Sequence, residues 1–545
     1  MSQPPPHDPG SDPPSPTPSG GPRPRSLAPT RIAEALCVVV VLLDVLLLLS
    51  FGPGRDQGIY TLVGARWLEG ATPYLGTWDF KPPGIFLLYG LAAALGGEGW
   101  EAPRLLEAAL LLVSAAGITR LGQRAEGSLL VGLAAAALAC TMYVSLDFWH
   151  TGQPESFGGA FVVAALVFAE APTLPRRPGL AALLVGVLAG CAFLLKPPLG
   201  GVAVPAVIAL AARSGGRAPG VVLAGLAGSA LVLGGSCAWF AVAGAWDALS
   251  WTFFEFTPGY SGMLHETDPL PVLVWSAAQK LLWMNSLYTL GVLGLLVPAR
   301  SAEAVGTVGR LLVTLALLVV GVALQGKFIR YHYGAAIPLA SLLAVIGAAR
   351  ITRRAAAWRP WAGVLVGLVL LWAATGLHVD KVAEEGNFWE RSAERLRTLL
   401  PAEARRASTV RLSAAYDVRL AELSELAARL RAVSGEGEPL FIWGFEPIVY
   451  RLADRPPASR FVYNVPQRAA WGGERPRAEL LADLAAHPPA AVVVERGDRF
   501  SWVTGNNQDS LEALEGFPEL RRWMVDGYRP DVEVGRFLVM VRADR

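Results

Sequence analysis

Val38-Val39-Val40-Val41-Leu42-Leu43-Asp44-Val45-Leu46-Leu47-Leu48-Leu49 lies within an apolar run covering residues 32–52. A helix needs about 20 apolar residues to cross a bilayer, so this run predicts a first membrane span. It starts after a Pro-, Ser- and Gly-rich tail, residues 1–30, which has too little apolar surface to bury a core and is expected to be disordered. No small-residue cleavage site clearly follows the run, so it predicts an uncleaved span rather than a signal peptide.

Further apolar runs follow at 104–120, 128–146, 157–171, 179–195, 198–213, 219–244, 275–298, 309–325, 332–349 and 361–378. Arginines cluster at Arg23/Arg25/Arg31, Arg120/Arg124, Arg176/Arg177, Arg213/Arg217, Arg300/Arg310 and Arg350/Arg353/Arg354/Arg359. If every cluster is cytoplasmic, the eleven runs alternate without conflict. The short run 84–97 then lies at the outer face and does not cross. The expected architecture is a polytopic α-helical membrane protein with about eleven spans and one short outer-face helix. The N-terminus is cytoplasmic, residues 31–378 form the membrane domain, and the plasma (inner) membrane is the expected location.

Only 17% of the 545 residues are charged, against a usual figure of about 25%, and past Val379 the charges become frequent. Residues 379–545 therefore read as a soluble extracytoplasmic α/β domain. Helical patterns cover Arg391–Leu400 and Arg419–Val433, and strands are expected at 439–443, 490–494 and 536–541. The net charge of +2 gives no basic face for a nucleic-acid partner. Cys37, Cys140, Cys191 and Cys237 each sit in an apolar run without ligand or disulfide spacing, and read as small hydrophobes.

Candidate chemistry collects on the outer loops. The first loop holds Arg55-Asp56-Gln57-Gly58-Ile59-Tyr60 and ends Trp78-Asp79-Phe80-Lys81-Pro82-Pro83. A carboxylate at Asp56 can accept a proton from an acceptor hydroxyl or amine, and an ammonium at Lys81, stiffened by two prolines, can pair with phosphate. Both can equally be solvated loop charges. The second loop packs Asp147, Trp149, His150, Gln153 and Glu155 into a few residues. That density at a membrane surface suits a cavity wall, or else a polar hairpin turn. No strong metal-ligand spacing is present there. The third loop offers His265, for which a solvated position is the simpler reading. Lys327, Arg330, His332 and Tyr333 stand at the outer start of the 332–349 run, where two cations oppose the positive-inside trend and suit a phosphate. Lys196-Pro197-Pro198 repeats the Lys-Pro-Pro pattern between two apolar runs, and Asp44 lies inside the first span without an assigned role.

Taken in order, Asp56, Gly70-Ala71-Thr72-Pro73-Tyr74, Trp78-Asp79-Phe80-Lys81-Pro82-Pro83, Gln153-Pro154-Glu155 and His332-Tyr333 resemble the GT-C membrane glycosyltransferases. The resemblance is to glycosyltransferase family 39 and its bacterial relatives, which include protein O-mannosyltransferases and lipid A aminoarabinose transferases. Trp443-Gly444-Phe445-Glu446-Pro447 looks like the soluble tail of the bacterial subgroup. The resemblance implies a polyprenyl-phosphate-linked sugar as donor, a lipid, glycan or protein as acceptor, and membrane lipids as surroundings. It implies direct inverting displacement on the outer face with Asp56 as the base. Lys81, Lys327, Arg330, His332 and Tyr333 would take the leaving phosphate. Gln57, Tyr60, Asp79, Asp147, His150, Gln153, Glu155 and His265 are further site candidates. Gln57 stands where the family usually has Glu, so no role for two adjacent carboxylates carries over. No cofactor is fixed, and a divalent metal stays open. Competing readings are a flippase for a lipid-linked glycan and a non-catalytic relative. Transporters tend to show paired half-repeats, and none is evident here.

Overall fold

A computed structural model of the chain describes residues 28–96, 100–170, 177–262, 268–376, 386–414 and 418–544. His265 and the tail up to residue 27 lie outside the described residues. The first half holds α1 (Ala28–Leu49), α2 (Arg55–Leu68), α3 (Pro83–Gly96), α4 (Glu101–Glu126), α5 (Leu129–Val144), α6 (Asp147–His150), α7 (Pro154–Glu170), α8 (Pro178–Leu195), α9 (Ala203–Ala212) and α10 (Ala218–Val242). Then come α11 (Trp246–Ser250), α12 (Thr257–Gly262), α13 (Leu270–Trp283), α14 (Ser286–Gly294), α15 (Ala302–Ala323), α16 (Ile337–Trp358) and α17 (Pro360–Thr375). Five described helices are long and apolar enough to cross a membrane: Pro29–Leu49, Glu101–Glu126, Pro178–Leu195, Gly215–Val242 and Ala302–Ala323. Four shorter apolar helices, among them Pro83–Gly96, accompany them. Their outward-facing leucines, valines and tryptophans are widely exposed, as lipid-facing side chains are.

Two departures from the expected runs have local causes. The run 275–298 breaks between α13 and α14. Asn285 adopts an extended conformation there, its Oδ1 accepts the Leu287 N–H at 2.8 Å, and its Nδ2 donates to Ala374 O at 2.9 Å. An N-capping asparagine starts a new helix rather than continuing the old one. The run 332–349 starts later than expected. Arg330–Tyr333 form a short 3-10 turn, and the helix begins at Ile337 with Pro338 in its first turn. Lys327, Arg330, His332 and Tyr333 thus precede the helix on a turn. The first-span Asp44 accepts from Thr141 Oγ1 at 2.8 Å, whereas Arg104 pairs with Glu107 at 2.6 Å.

The soluble part opens with α18 (Phe388–Arg397), α19 (Ala402–Ser413) and α20 (Leu420–Val433). Asn387 and Glu390 form a reciprocal capping box that starts α18. The sheet comprises β1 (Leu440–Trp443), β2 (Ala491–Glu495), β3 (Tyr528–Val534) and β4 (Phe537–Arg542), in the order β1-β2-β4-β3. β1 and β2 run parallel and the other pairings are antiparallel. β3 was not expected from its pattern. It carries Pro530 and several charges, and its outer residues are exposed, which suits only an edge strand.

This sheet domain docks on the loops between the apolar helices. Trp78 N–H donates to Arg460 O at 2.7 Å, and Arg460 Nη1 donates to Tyr74 O at 2.6 Å. Gly58 on α2 lies so close to the helix Ile448–Ala453 that an added Cβ would stand 2.9 Å from Ile448 Cβ. Asp147, at positive φ, takes Arg391 at 2.8 Å and Arg395 at 2.6 Å, so α18 is pinned to the second loop.

Candidate active site

The residues of the first loop reach one place because two Lys-Pro-Pro turns meet. Gly84 at the start of α3 faces the end of α8, where a Cβ would lie 2.7 Å from Leu194 O. Only glycine permits that approach, and it brings Lys81-Pro82-Pro83 alongside Lys196-Pro197-Pro198. Lys196 Nζ then pairs with Glu155 Oε1 at 3.0 Å, from the first turn of α7.

A cavity of about 60 Å³, room for a few waters, opens beside Lys81. Asp56, Tyr60, Asp79, Lys81, Trp149 and Tyr331 line it together with Arg55, Tyr260, Phe445, Phe500 and Trp502. Asp56 is in the first turn of α2 and half-buried. Its Oδ2 accepts Gln153 Nε2 at 3.2 Å, while Gln153 Oε1 accepts the Tyr60 hydroxyl at 2.9 Å. Among the described residues no cation lies within ion-pair distance of Asp56, and no carboxylate within that distance of Lys81 or Arg330. The other Asp56 oxygen is therefore available to a substrate.

The electrostatics divide the site into two sides. Burial disfavours the Lys81 ammonium, but Asp56, Tyr260, Glu155 and Asp79 more than offset it and hold its pKa above the usual lysine value. Lys327 has no such help. Its Nζ stands 3.0 Å from the Tyr260 ring centroid and donates to Trp502 O at 2.9 Å. Burial, then the charges of Lys81 and Lys196, push its pKa down to about 6. His332 is buried and held well below its usual range by burial and by Lys196, Lys81, Lys327 and His150. Its Nδ1 and the Tyr333 hydroxyl have no hydrogen-bond partner among the described residues. Three lysines and a histidine thus repel one another's charge in one place, which an anion would relieve.

Several candidates brace the site instead of facing it. Gln57 Nε2 turns away from the cavity and donates to Phe148 O at 3.0 Å, Trp149 O at 3.3 Å and Thr151 O. A glutamate could not make those bonds, which gives the departure at this position a structural reason. Asp147 is fully engaged by Arg391 and Arg395, which hold its carboxyl below the usual range against burial. Asp79 lines the cavity, but the Tyr463 hydroxyl and the Lys81 N–H (3.2 Å) occupy its oxygens, and burial raises its pKa to about 6. His150 packs edge-on against Trp149 and tilted against Tyr331, with burial and Arg330 pushing its pKa to about 3. Among the described residues no three His, Cys, Asp or Glu side chains gather as metal ligands.

Tyr260, Phe500 and Trp502 wall the cavity without any local signal in the sequence, and Phe445 stands in the Trp443–Pro447 stretch without a sign that it would; the last three arrive with the docked sheet domain. Arg55 was readable only as the neighbour of Asp56, and Lys196 only through its repeated Lys-Pro-Pro.

No curated protein matches the chain in sequence. Residues 80–239 match the profile of a family described as dolichyl-phosphate-mannose-protein mannosyltransferase. Among solved structures the chain is similar to ArnT from Cupriavidus metallidurans bound to undecaprenyl phosphate. The identity is 16% and the TM-score 0.54, over 95% of this chain and 98% of that one. The apo form of the same ArnT gives 16%, a TM-score of 0.52, and coverage of 94% and 98%. The segment holding Lys81, Glu155 and Lys196 thus carries the sequence pattern of the dolichyl-phosphate-mannose-protein mannosyltransferase family, within a chain whose fold is that of ArnT.

Proposed function

We propose that this chain is a multi-pass membrane glycosyltransferase. It moves a sugar from a polyprenyl-phosphate donor to an acceptor on the extracytoplasmic face. The observation that carries this reading is a cavity lined by both Asp56 and Lys81, with Lys196, Lys327 and His332 close enough to Lys81 that their charges repel. Asp56 takes the proton from the acceptor nucleophile as it attacks the anomeric carbon, and the configuration inverts. Lys81, Lys327 and Arg330 hold the departing phosphate, where negative charge develops, and Lys196 sits beside them. Tyr333 and the buried His332 have unused hydrogen-bonding atoms for the same oxygens. Gln153 and Tyr60 orient the base. The reading places eleven spans in the bilayer and the sheet domain outside, over the loops that bear Asp56 and Lys81. That the ArnT crystal held undecaprenyl phosphate supports the class of donor.

The test is transfer from undecaprenyl-phosphate-linked mannose to membrane acceptors by the purified full chain. Asp56→Asn should lower kcat by about 10²–10⁴-fold, the usual contribution of a general base, with binding of undecaprenyl phosphate retained. Wild-type kcat in that variant would refute the assignment. Movement of the lipid-linked sugar across vesicles without any transfer would favour a flippase.

A further inference from the structure

Arg55, the chain neighbour of Asp56, belongs to a second buried constellation built by the sheet domain. It donates from Nε at 3.1 Å and Nη2 at 2.6 Å to Glu446 Oε1, just beyond β1. Both side chains are buried, at 4% and 0% exposure. The guanidinium carbon stands 4.7 Å from the Phe500 ring centroid and 5.5 Å from Phe445. Glu446 Oε1 also accepts Arg536 Nη2 at 2.8 Å, from the turn between β3 and β4. Arg536 Nε is 3.2 Å from Glu495 Oε1 at the end of β2, and Glu495 Oε2 accepts the Phe445 N–H at 2.7 Å. One end of the sheet therefore grips a single residue of α2.

A plain tether would have no reason to be placed beside the base. Arg55 and Asp56 line the same cavity. The residue capping α2 is Gly54, which has no side chain to fix the first turn. A guanidinium next to a carboxylate will pair with it unless something else takes its donors. Here Glu446 takes two of them, and the aromatic rings hold the planar face. The charge of Asp56 is felt by Tyr60 on its own helix, by Asp79 and Lys81 of the first loop and by Tyr89 of α3. Lys196 lies beyond α8, with Tyr260, Tyr331 and Tyr463 on the flanking segments.

We infer that the sheet domain is part of the active site, with Glu446 as a positioning residue that holds Arg55 off Asp56 and fixes the direction of the base. This rests on the reading of Asp56 as base. Glu446 pairs with Arg55 and Arg536 and, among the described ion pairs, with no lysine, so its expected effect falls on the reaction step and not on donor binding.

The test uses the full chain and the same mannosyl donor. Glu446→Gln should lower kcat by about tenfold or more, the scale of a small misplacement of a reacting group, with KM for the donor within about twofold. Arg55→Met added to Glu446→Gln should cost no further activity, because the two act as one unit. A Glu446→Gln protein with wild-type kcat, or losses that simply multiply in the double variant, would overturn the inference. If Glu446→Gln does not fold, Phe500→Leu removes one aromatic face from Arg55 while every charge stays paired. It should lower kcat about threefold or more at unchanged KM, and a wild-type kcat there would equally overturn the inference. Asp56→Asn separates the two readings. An active Asp56→Asn defeats the base assignment itself. An inactive Asp56→Asn beside a fully active Glu446→Gln defeats only the positioning role.

Discussion

Lys327→Arg should abolish a proton uptake that accompanies phosphate binding. In the wild type the Lys327 amine is packed on Tyr260 and held by Trp502 O, with its pKa lowered to about 6 by burial and by Lys81 and Lys196. For a base whose folded value lies below its unfolded one, the neutral form prevails above about pH 6 and the charged form is costly below it. A phosphate reverses this by favouring the ammonium. Between about pH 6 and 8 the ligand must therefore bring a proton with it, and affinity should fall about tenfold per pH unit, roughly 100-fold over the range. Arginine stays charged throughout and needs no such proton. The assay is calorimetric titration of undecaprenyl phosphate into the detergent-solubilised chain, in buffers of different ionisation enthalpy. The phosphate's own second ionisation, near pH 6, enters wild type and variant alike, so their difference isolates Lys327. At pH 8 the wild type should take up close to one proton more than Lys327→Arg. Equal uptake in the two would refute the placement of Lys327 in the anion site.

Three further outcomes follow from the braces. Gln57→Glu sets a carboxylate against the carbonyls of Phe148, Trp149 and Thr151, and should destabilise the chain by about 1–3 kcal/mol. An unchanged Tm in detergent would contradict the brace. Arg391→Met leaves the buried Asp147 with one of its two arginines and should cost up to about 3–5 kcal/mol. A lower Tm in detergent would report it, and an unchanged Tm would count against the pinning. Glu495 is raised to about 8 by burial, Asp498 and Glu446. A raised carboxyl contributes stability that is complete below the unfolded value and is lost as pH rises through about 8. Tm should therefore fall between about pH 5 and 9, and Glu495→Gln should flatten that slope; a slope unchanged in the variant would disprove the cause.

The membrane class, the main helices and the residues worth watching were legible in the chain because hydrophobic runs and local charge are properties of neighbours in sequence. Asp56, Lys81 and Tyr60 were singled out this way and line one cavity, whereas of the 327–333 turn only Ile329 and Tyr331 reach its wall, and Lys327, Arg330, His332 and Tyr333 do not. Which of them face substrate was not legible. Gln57 and Asp147 look as reactive in sequence as Asp56, yet one latches the second loop and the other anchors α18. The cavity walls at Phe445, Phe500 and Trp502 join positions up to 447 residues apart, and the Arg55–Glu446 pair joins positions 391 apart. Such contacts depend on how helices approach at Gly84 and Gly58 and on where the sheet domain docks. Apolar patterning determines what is buried, but only close packing decides which buried charge meets which, and that decision makes one carboxylate a base and its neighbours its supports.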